Sequence, residues 1–143
     1  MPIDTLTLTA EERQKLYARP EGHFLDFKSY RVKPASLTKT LAALANADGG
    51  EVYVGIEDEP TGWRWDGFPT PEDANGHIQC FEDLFPLSGD FRYEFLTAAD
   101  APGYVLRISV LKTRDVKLAS DGTAYVRRGA QNLAVKTPEA INE

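Results

Sequence analysis

Residues 21–58 decide how the chain is read: Glu21-Gly-His-Phe-Leu-Asp26-Phe-Lys28, then Asn46-Ala-Asp-Gly49-Gly50, then Gly55-Ile-Glu57-Asp58. The stretch predicts a strand, a helix, a tight glycine turn and a second strand. Phe24, Asp26, Lys28 and Tyr30 alternate with Leu25, Phe27 and Ser29, so Asp26 and Lys28 project from one face of a strand over 23–30. From about residue 35 to 47, Leu37, Leu41, Leu44 and Ala45 fall on one helical stripe. Ala42, Ala43 and Ala47 raise helix propensity, and Pro34 suits a first turn. Gly49 or Gly50 can take the left-handed conformation that ends a helix. A strand over 51–57 follows after almost no loop, as an αβ unit requires. It runs into Glu57-Asp58-Glu59, which puts acids at a strand's carboxyl end, where open α/β sheets bind ligands.

Working outward, residues 4–19 predict a short helix, with Asp4 or Thr9 near its start and Leu6, Leu8, Leu16 and Tyr17 on its buried side. Thr9-Ala-Glu-Glu12 has capping-box spacing. Residues 58–71 read as an irregular loop in which Trp63 and Trp65 either staple the loop to the core or stack on bases. A helix is expected over about 71–85, burying Ile78, Phe81, Leu84 and Phe85 and stopped by Pro86. Phe91–Phe95 and Tyr104–Val110 form a strand pair joined through Asp100-Ala-Pro-Gly103. Ala124–Arg128 is a last strand, and Thr137-Pro-Glu139 opens a further helix. The fold class that results is a single mixed α/β domain over 1–143, a central mixed sheet flanked by helices. The end of the chain just after a helix start suggests a domain cut from, or normally followed by, something longer.

The chain has 143 residues, enough for one domain with a real core. Its 42% hydrophobic and 27% charged content is that of an ordinary globular protein. No apolar run approaches the roughly 20 residues that cross a bilayer. Cys80 is the single cysteine, so an internal disulfide is impossible and a cytoplasmic setting is the default expectation. His77-x-x-Cys80 is half of a zinc spacing with no second pair. Gly49-Gly50 lacks the Lys-Ser/Thr of a nucleotide-binding loop, which leaves an ATPase reading without support.

The net charge of −6 argues against indiscriminate nucleic-acid binding, but it conceals an asymmetry. Residues 20–40 carry Lys28, Arg31, Lys33 and Lys39 against Glu21 and Asp26. Residues 41–103 hold thirteen acids against Arg64 and Arg92, and residues 104–136 hold seven basic groups against two acids. Two basic segments therefore flank an acidic middle. A fold that brings them together makes a positive groove despite the total.

Asp26-Phe-Lys28, then Leu44-Ala-Asn46-Ala-Asp-Gly49-Gly50-Glu-Val-Tyr-Val-Gly55-Ile-Glu-Asp58, then Tyr125-Val-Arg127-Arg-Gly129 resemble the Schlafen/AlbA-like domain of bacterial proteins, also labelled a DNA-binding or "divergent AAA" domain. The resemblance spans about residues 20–140. It implies a mixed α/β domain that binds nucleic acid. It further implies, from some animal members, a metal-dependent endoribonuclease site built on three acids and acting on structured RNA such as tRNA. The matching positions are Glu21, Asp26 and Asp58, with Asp26 standing where the family more often has Glu. Many bacterial relatives serve as DNA-binding or regulatory modules without demonstrated cleavage.

Three convergent carboxylates would hold Mg²⁺ or Mn²⁺, which polarises a phosphodiester and activates the attacking oxygen. Lys28, on the face of Asp26, would orient the nucleophile or stabilise developing charge. The bland alternative makes Glu21 a turn cap, Asp58 a loop closer and Asp26–Lys28 a solvated pair. For binding, Arg127 matches the family position and is the better candidate to grip phosphate, with Arg128 on the opposite strand face. Lys112, Arg114 and Lys117 extend that surface, and Arg31, Lys33 and Lys39 supply the other basic segment. Their alternative is a solvated edge that discourages aggregation. Asn46 and the two glycines have a structural reading as a helix end and turn, with a second role for Asn46 toward the acids left open. The expected partners are RNA or DNA, not a membrane. Regulatory use or self-association within a longer protein, as a homodimer or with further domains, is the competing class.

Overall fold

The computed structural model describes residues 5–84 and 91–135. The expected helix start at Thr137, along with Asp4, Phe85 and Pro86, lies outside them. Strand β1 (Thr5–Leu8) leads into helix α1 (Ala10–Tyr17), strand β2 (Leu25–Lys28), helix α2 (Pro34–Asn46) and strand β3 (Gly50–Val54). A hairpin of β4 (Ile56–Glu59) and β5 (Gly62–Trp65) follows, then a 3₁₀ turn (Pro71–Ala74) and helix α3 (Asn75–Leu84). Strands β6 (Phe91–Ala98) and β7 (Ala101–Val110) pair, and a second hairpin of β8 (Ala124–Arg128) and β9 (Gln131–Val135) completes the described chain.

The central sheet runs β1-β6-β7-β3-β2. β2 lies parallel to β3, and β1 parallel to β6, while the inner pairs are antiparallel. This is the single mixed α/β domain that the periodicities predict. Helices α2 and α3 cover one face, where Leu37, Leu41, Leu44, Val52, Val54, Phe81 and Ile108 form the larger core. The opposite face buries Leu25, Phe27, Tyr53 and Val105 under Leu16 of α1 and Ile56 and Trp65 of the first hairpin.

The unit β2–α2–β3 forms as its spacing requires. Pro34 occupies the first turn of α2, and the Gly49 N–H returns to the Leu44 carbonyl at 2.8 Å. Gly49 has φ +80° and Gly50 φ +152°, conformations that favour glycine. Both also lack room: a Cβ on Gly49 would sit 2.6 Å from the Val110 carbonyl oxygen, and one on Gly50 would sit 2.6 Å from that of Phe24.

Four expectations are corrected. The helix over 4–19 shortens to α1, because Thr5-Leu-Thr-Leu8 alternates with β-branched residues and pairs with β6, joined by a 2.9 Å Thr7–Thr97 hydroxyl contact. Leu6 is consequently exposed. The capping box holds, with Thr9 and Glu12 each accepting the other's backbone N–H. The strand over 51–57 breaks at Gly55 (φ +123°), and the chain leaves the main sheet for the β4–β5 hairpin. The irregular loop is thus largely paired, with Ile56 opposite Trp65 and Asp58 opposite Trp63. Finally, the turn between β6 and β7 is only Ala99-Asp100, and β9 is an added strand, turned by Gly129-Ala130 with Arg128 opposite Gln131.

Candidate functional site

β2 is the last strand of the sheet, so one row of its backbone groups faces away from β3. Two of the residues singled out by the sequence, Glu21 and Arg127, bond to that row. The Leu25 carbonyl accepts the Gly22 N–H at 3.0 Å and Arg127 Nη2 at 3.2 Å. The Phe27 N–H donates to Glu21 Oε2 at 3.0 Å. Glu21 thus closes a backbone edge rather than capping a turn.

Asp26 projects to the α2 side and is buried at 6% exposure. Its Oδ2 meets Lys28 Nζ at 3.2 Å and Arg127 Nη1 at 3.5 Å. Partial burial, then a side-chain hydrogen bond to Asp26, push the Glu21 carboxyl from an ordinary 4.5 up to about 7. Glu21, Asp26 and Lys28 are therefore together, as expected.

Asp58 is not with them. It is exposed on β4, in register with Trp63, whose ring packs 4.7 Å from that of Phe27. Phe27 points to the sheet face opposite Asp26. The neighbouring Glu57 turns instead to the Ser29 hydroxyl and, at 3.0 Å, to Arg31. Among the described residues no three Asp, Glu, His or Cys side chains converge in an arrangement that could hold an ion. Asp26, with two cations on one oxygen, is a poor ligand for a third. The donor set Glu21, Asp26 and Asp58 does not fit Mg²⁺ or Mn²⁺.

Arg127 is also relocated. It is 1% exposed, with Nε on the Gly22 carbonyl at 3.0 Å and Nη1 on Asn132 Oδ1 at 2.8 Å. Asn132 in turn donates to Thr40 Oγ1 at 2.9 Å. The guanidinium fork expected to grip phosphate is spent inside the protein. Val126 and Tyr125 remain partly accessible, and Arg128 is exposed.

The two basic segments do meet. α2 packs on β8, and Lys39 Nζ lies 5.8 Å from the centre of the Tyr125 ring. Asn46, buried at the end of α2, donates to the carbonyls of Lys117 and Tyr125 at 2.8 and 2.9 Å and accepts the Lys117 N–H at 2.7 Å. Its role is the structural one, not a contact with the acids. Lys112 Nζ caps the same helix end at the Ala47 carbonyl, 2.8 Å away. Lys33, Lys112, Arg114 and Arg128 are exposed, and Lys39 and Lys117 partly so. Asp121 lies within this face, its pKa lowered by the Thr123 N–H, then by the Tyr125 hydroxyl, with Lys39 contributing. Arg31 is different: Glu57 and Asp66, at 3.0 and 3.1 Å, neutralise it.

His77 is buried and its Nε2 contacts the Val32 carbonyl at 2.5 Å, while the Cys80 thiol donates to the Pro34 carbonyl. Both are packing residues, and burial raises the thiol to about 11. Trp65 donates Nε1 to the Gly103 carbonyl at 3.3 Å, and with Trp63 it staples the first hairpin to the core. The residues missed from sequence are Asn132 and Thr40. Asn132 follows the Gly129 turn at hairpin spacing, which was the available signal.

A mixed five-stranded sheet with α2 and α3 on one face and α1 on the other, a buried Asp–Arg pair at its edge strand and a basic flank defines an α/β domain with a charged rim. The chain belongs to the Schlafen AlbA_2 family, whose sequence profile matches residues 21–136. Nothing among curated protein sequences matches it. In three dimensions it is similar to the crystal structure of the DIP2311 protein from Corynebacterium diphtheriae, with a TM-score of 0.58 and 22% identity over 79% of this chain. That likeness concerns the fold, and the chain spans 22% of the length of that protein. Family membership supports a nucleic-acid-related function. No helix among the described residues is long and apolar enough to cross a membrane.

Proposed function

We propose that this domain binds the backbone of nucleic acid through the face built by α2, residues 112–117 and β8. Lys33 and Lys39 contribute from the helix, Lys112, Arg114 and Lys117 from the segment beside it, and Arg128 from the hairpin. The observation that carries the reading is that α2 packs on β8, which joins the two basic segments that the acidic middle separates in sequence. Binding of this kind is electrostatic, so affinity falls as salt rises. Anisotropy titrations with a single-stranded RNA, a tRNA and a DNA duplex over a range of salt test it. Lys39→Glu with Arg128→Glu should weaken binding about tenfold or more and flatten the salt slope by about one for each cation removed from a phosphate. Unchanged affinity in that variant removes the face from consideration.

Cleavage through Glu21, Asp26, Lys28 and Asp58 is the second reading. What supports it is the place of Glu21 beside Asp26, where partial burial and that contact raise its carboxyl to about 7, a value suited to proton transfer at neutral pH. The charges already on Asp26 and the exposed place of Asp58 on β4, opposite Trp63, weigh against a resident ion. Incubation of tRNA and plasmid DNA with Mg²⁺ or Mn²⁺, beside Asp26→Asn, separates the two. Turnover that disappears in the variant supports cleavage, and binding without turnover supports the module.

A further inference from the structure

We infer that Asp26 serves in this chain as the fixed counter-ion of Arg127, and that this pair clamps the β8–β9 hairpin onto the open edge of β2 where an ion site would otherwise be expected. The inference concerns which partner the carboxylate has, and it holds whether or not the basic face binds nucleic acid.

Four contacts of Arg127 carry it. Nε reaches the Gly22 carbonyl, Nη2 the Leu25 carbonyl, and Nη1 both Asn132 and Asp26. The side chain thus spans from the second hairpin to the strand that begins the β2–α2–β3 unit, across 101 residues of sequence to Asp26. A guanidinium at 1% exposure needs every one of these acceptors, since a buried charge without partners is strongly unfavourable. The carboxylate satisfies the charge, and the two carbonyls fix the plane of the fork. The Leu25 carbonyl lies on the outer edge of β2 and Gly22 is bridged to Leu25 just ahead of the strand, so the hydrogen bonds that place the hairpin also cover part of a strand edge left open by the main sheet.

The remaining attachments run through α2. Asn132 bonds Thr40, and Asn46 holds the Tyr125 and Lys117 backbone. Among the described residues β8 and β9 pair as strands only with each other, forming a two-stranded sheet separate from the central one. Their seating therefore depends on these polar anchors together with packing on α2. Lys28, the second cation on Asp26, leaves a divalent ion facing two positive charges at a shared oxygen. Arg127 and Asp26 are positioning residues for the hairpin that presents Arg128 and Tyr125.

Amide hydrogen exchange of the whole chain, read by NMR, tests the clamp. Asp26→Asn should speed exchange of the β8–β9 amides by about tenfold or more, with β6–β7 amides changed far less. Arg127→Lys, which keeps the charge but loses the fork, should loosen the same amides if Asp26→Asn proves too unstable to study. Millimolar Mn²⁺ added to the unmodified chain should produce no selective broadening at residues 22–28. Unchanged β8–β9 protection in both variants, acceleration spread evenly over all strands, or Mn²⁺ broadening at 22–28 that Asp26→Asn abolishes would each overturn the inference. Nucleic-acid affinity is no part of this readout, so failure of the binding reading leaves it standing.

Discussion

The molecule carries two hairpins outside its central sheet, and they are attached by opposite means. The β4–β5 hairpin is held by apolar surface: Ile56 and Trp65 enter the core beneath the sheet, and Trp63 packs on Phe27. Most charged groups around it are paired, with Arg64 on Glu59 and Asp66, and Arg31 on Glu57 and Asp66. The β8–β9 hairpin has polar anchors instead, the buried Arg127 and Asn46 and the half-buried Asn132, and it leaves Arg128 outward. Hydrophobic burial is tolerant of geometry, whereas a buried guanidinium or amide demands each partner in place. The first hairpin is thus fixed by area and the second by a short set of directional bonds. The surface around the second keeps a net positive character, whereas around the first Arg31 and Arg64 are outnumbered by Glu57, Asp58, Glu59 and Asp66.

The largest test of this contrast is Trp65→Ala. Removing a side chain that is 5% exposed should cost about 3–5 kcal/mol, seen as a lower denaturant midpoint. A loss below about 1 kcal/mol would mean that the first hairpin does not depend on its aromatic anchor. Next comes Asn46→Ala. It removes little apolar area but strands the Lys117 N–H and the carbonyls of Lys117 and Tyr125, with an expected loss of about 1–3 kcal/mol. Exchange of the Tyr125 and Lys117 region should rise with it. A neutral result would place the weight on α2 packing alone.

A smaller effect concerns pH. Glu21 holds its proton to about 7 in the folded chain, against an ordinary 4.5. Between those values the folded state binds more protons than the unfolded one, so its contribution is present at low pH and is lost as pH rises toward 7. Glu21→Gln should flatten the decline in melting temperature between pH 5 and pH 8 relative to the unmodified chain. Parallel pH profiles would refute the assignment. The smallest effect belongs to Arg64→Ala. Its partners lie at the surface, so less than about 1 kcal/mol should be lost and salt should erase the difference.

The amino-acid sequence determined those features that repeat or cap locally. The 3.6-residue stripe of α2, the Thr9–Glu12 box, the alternation around Asp26 and the Gly49-Gly50 turn each specify a short stretch from its own residues. Burial of apolar stripes against one another then yields a sheet flanked by helices, and the family motif lies on the same elements. The alternation also put Asp26 and Lys28 on one face correctly, because a strand has a fixed period of two. The β4–β5 pairing escaped this reading, since Gly55 changes the chain's direction inside a continuous apolar run.

Only the tertiary structure decided what the charges do. Whether Arg127 meets phosphate or Asp26 depends on where β8 docks, and that contact closes a loop of about a hundred residues. Whether Asp58 joins Glu21 and Asp26 depends on a turn at one glycine, which sends it to the Phe27 side of the sheet. Local periodicity tells which face of its own element a side chain takes, while desolvation and ion pairing are set by neighbours distant in the chain. The same residue types in the same order read equally well as a solvent-facing cation site or as an internal lock, and packing selected the lock.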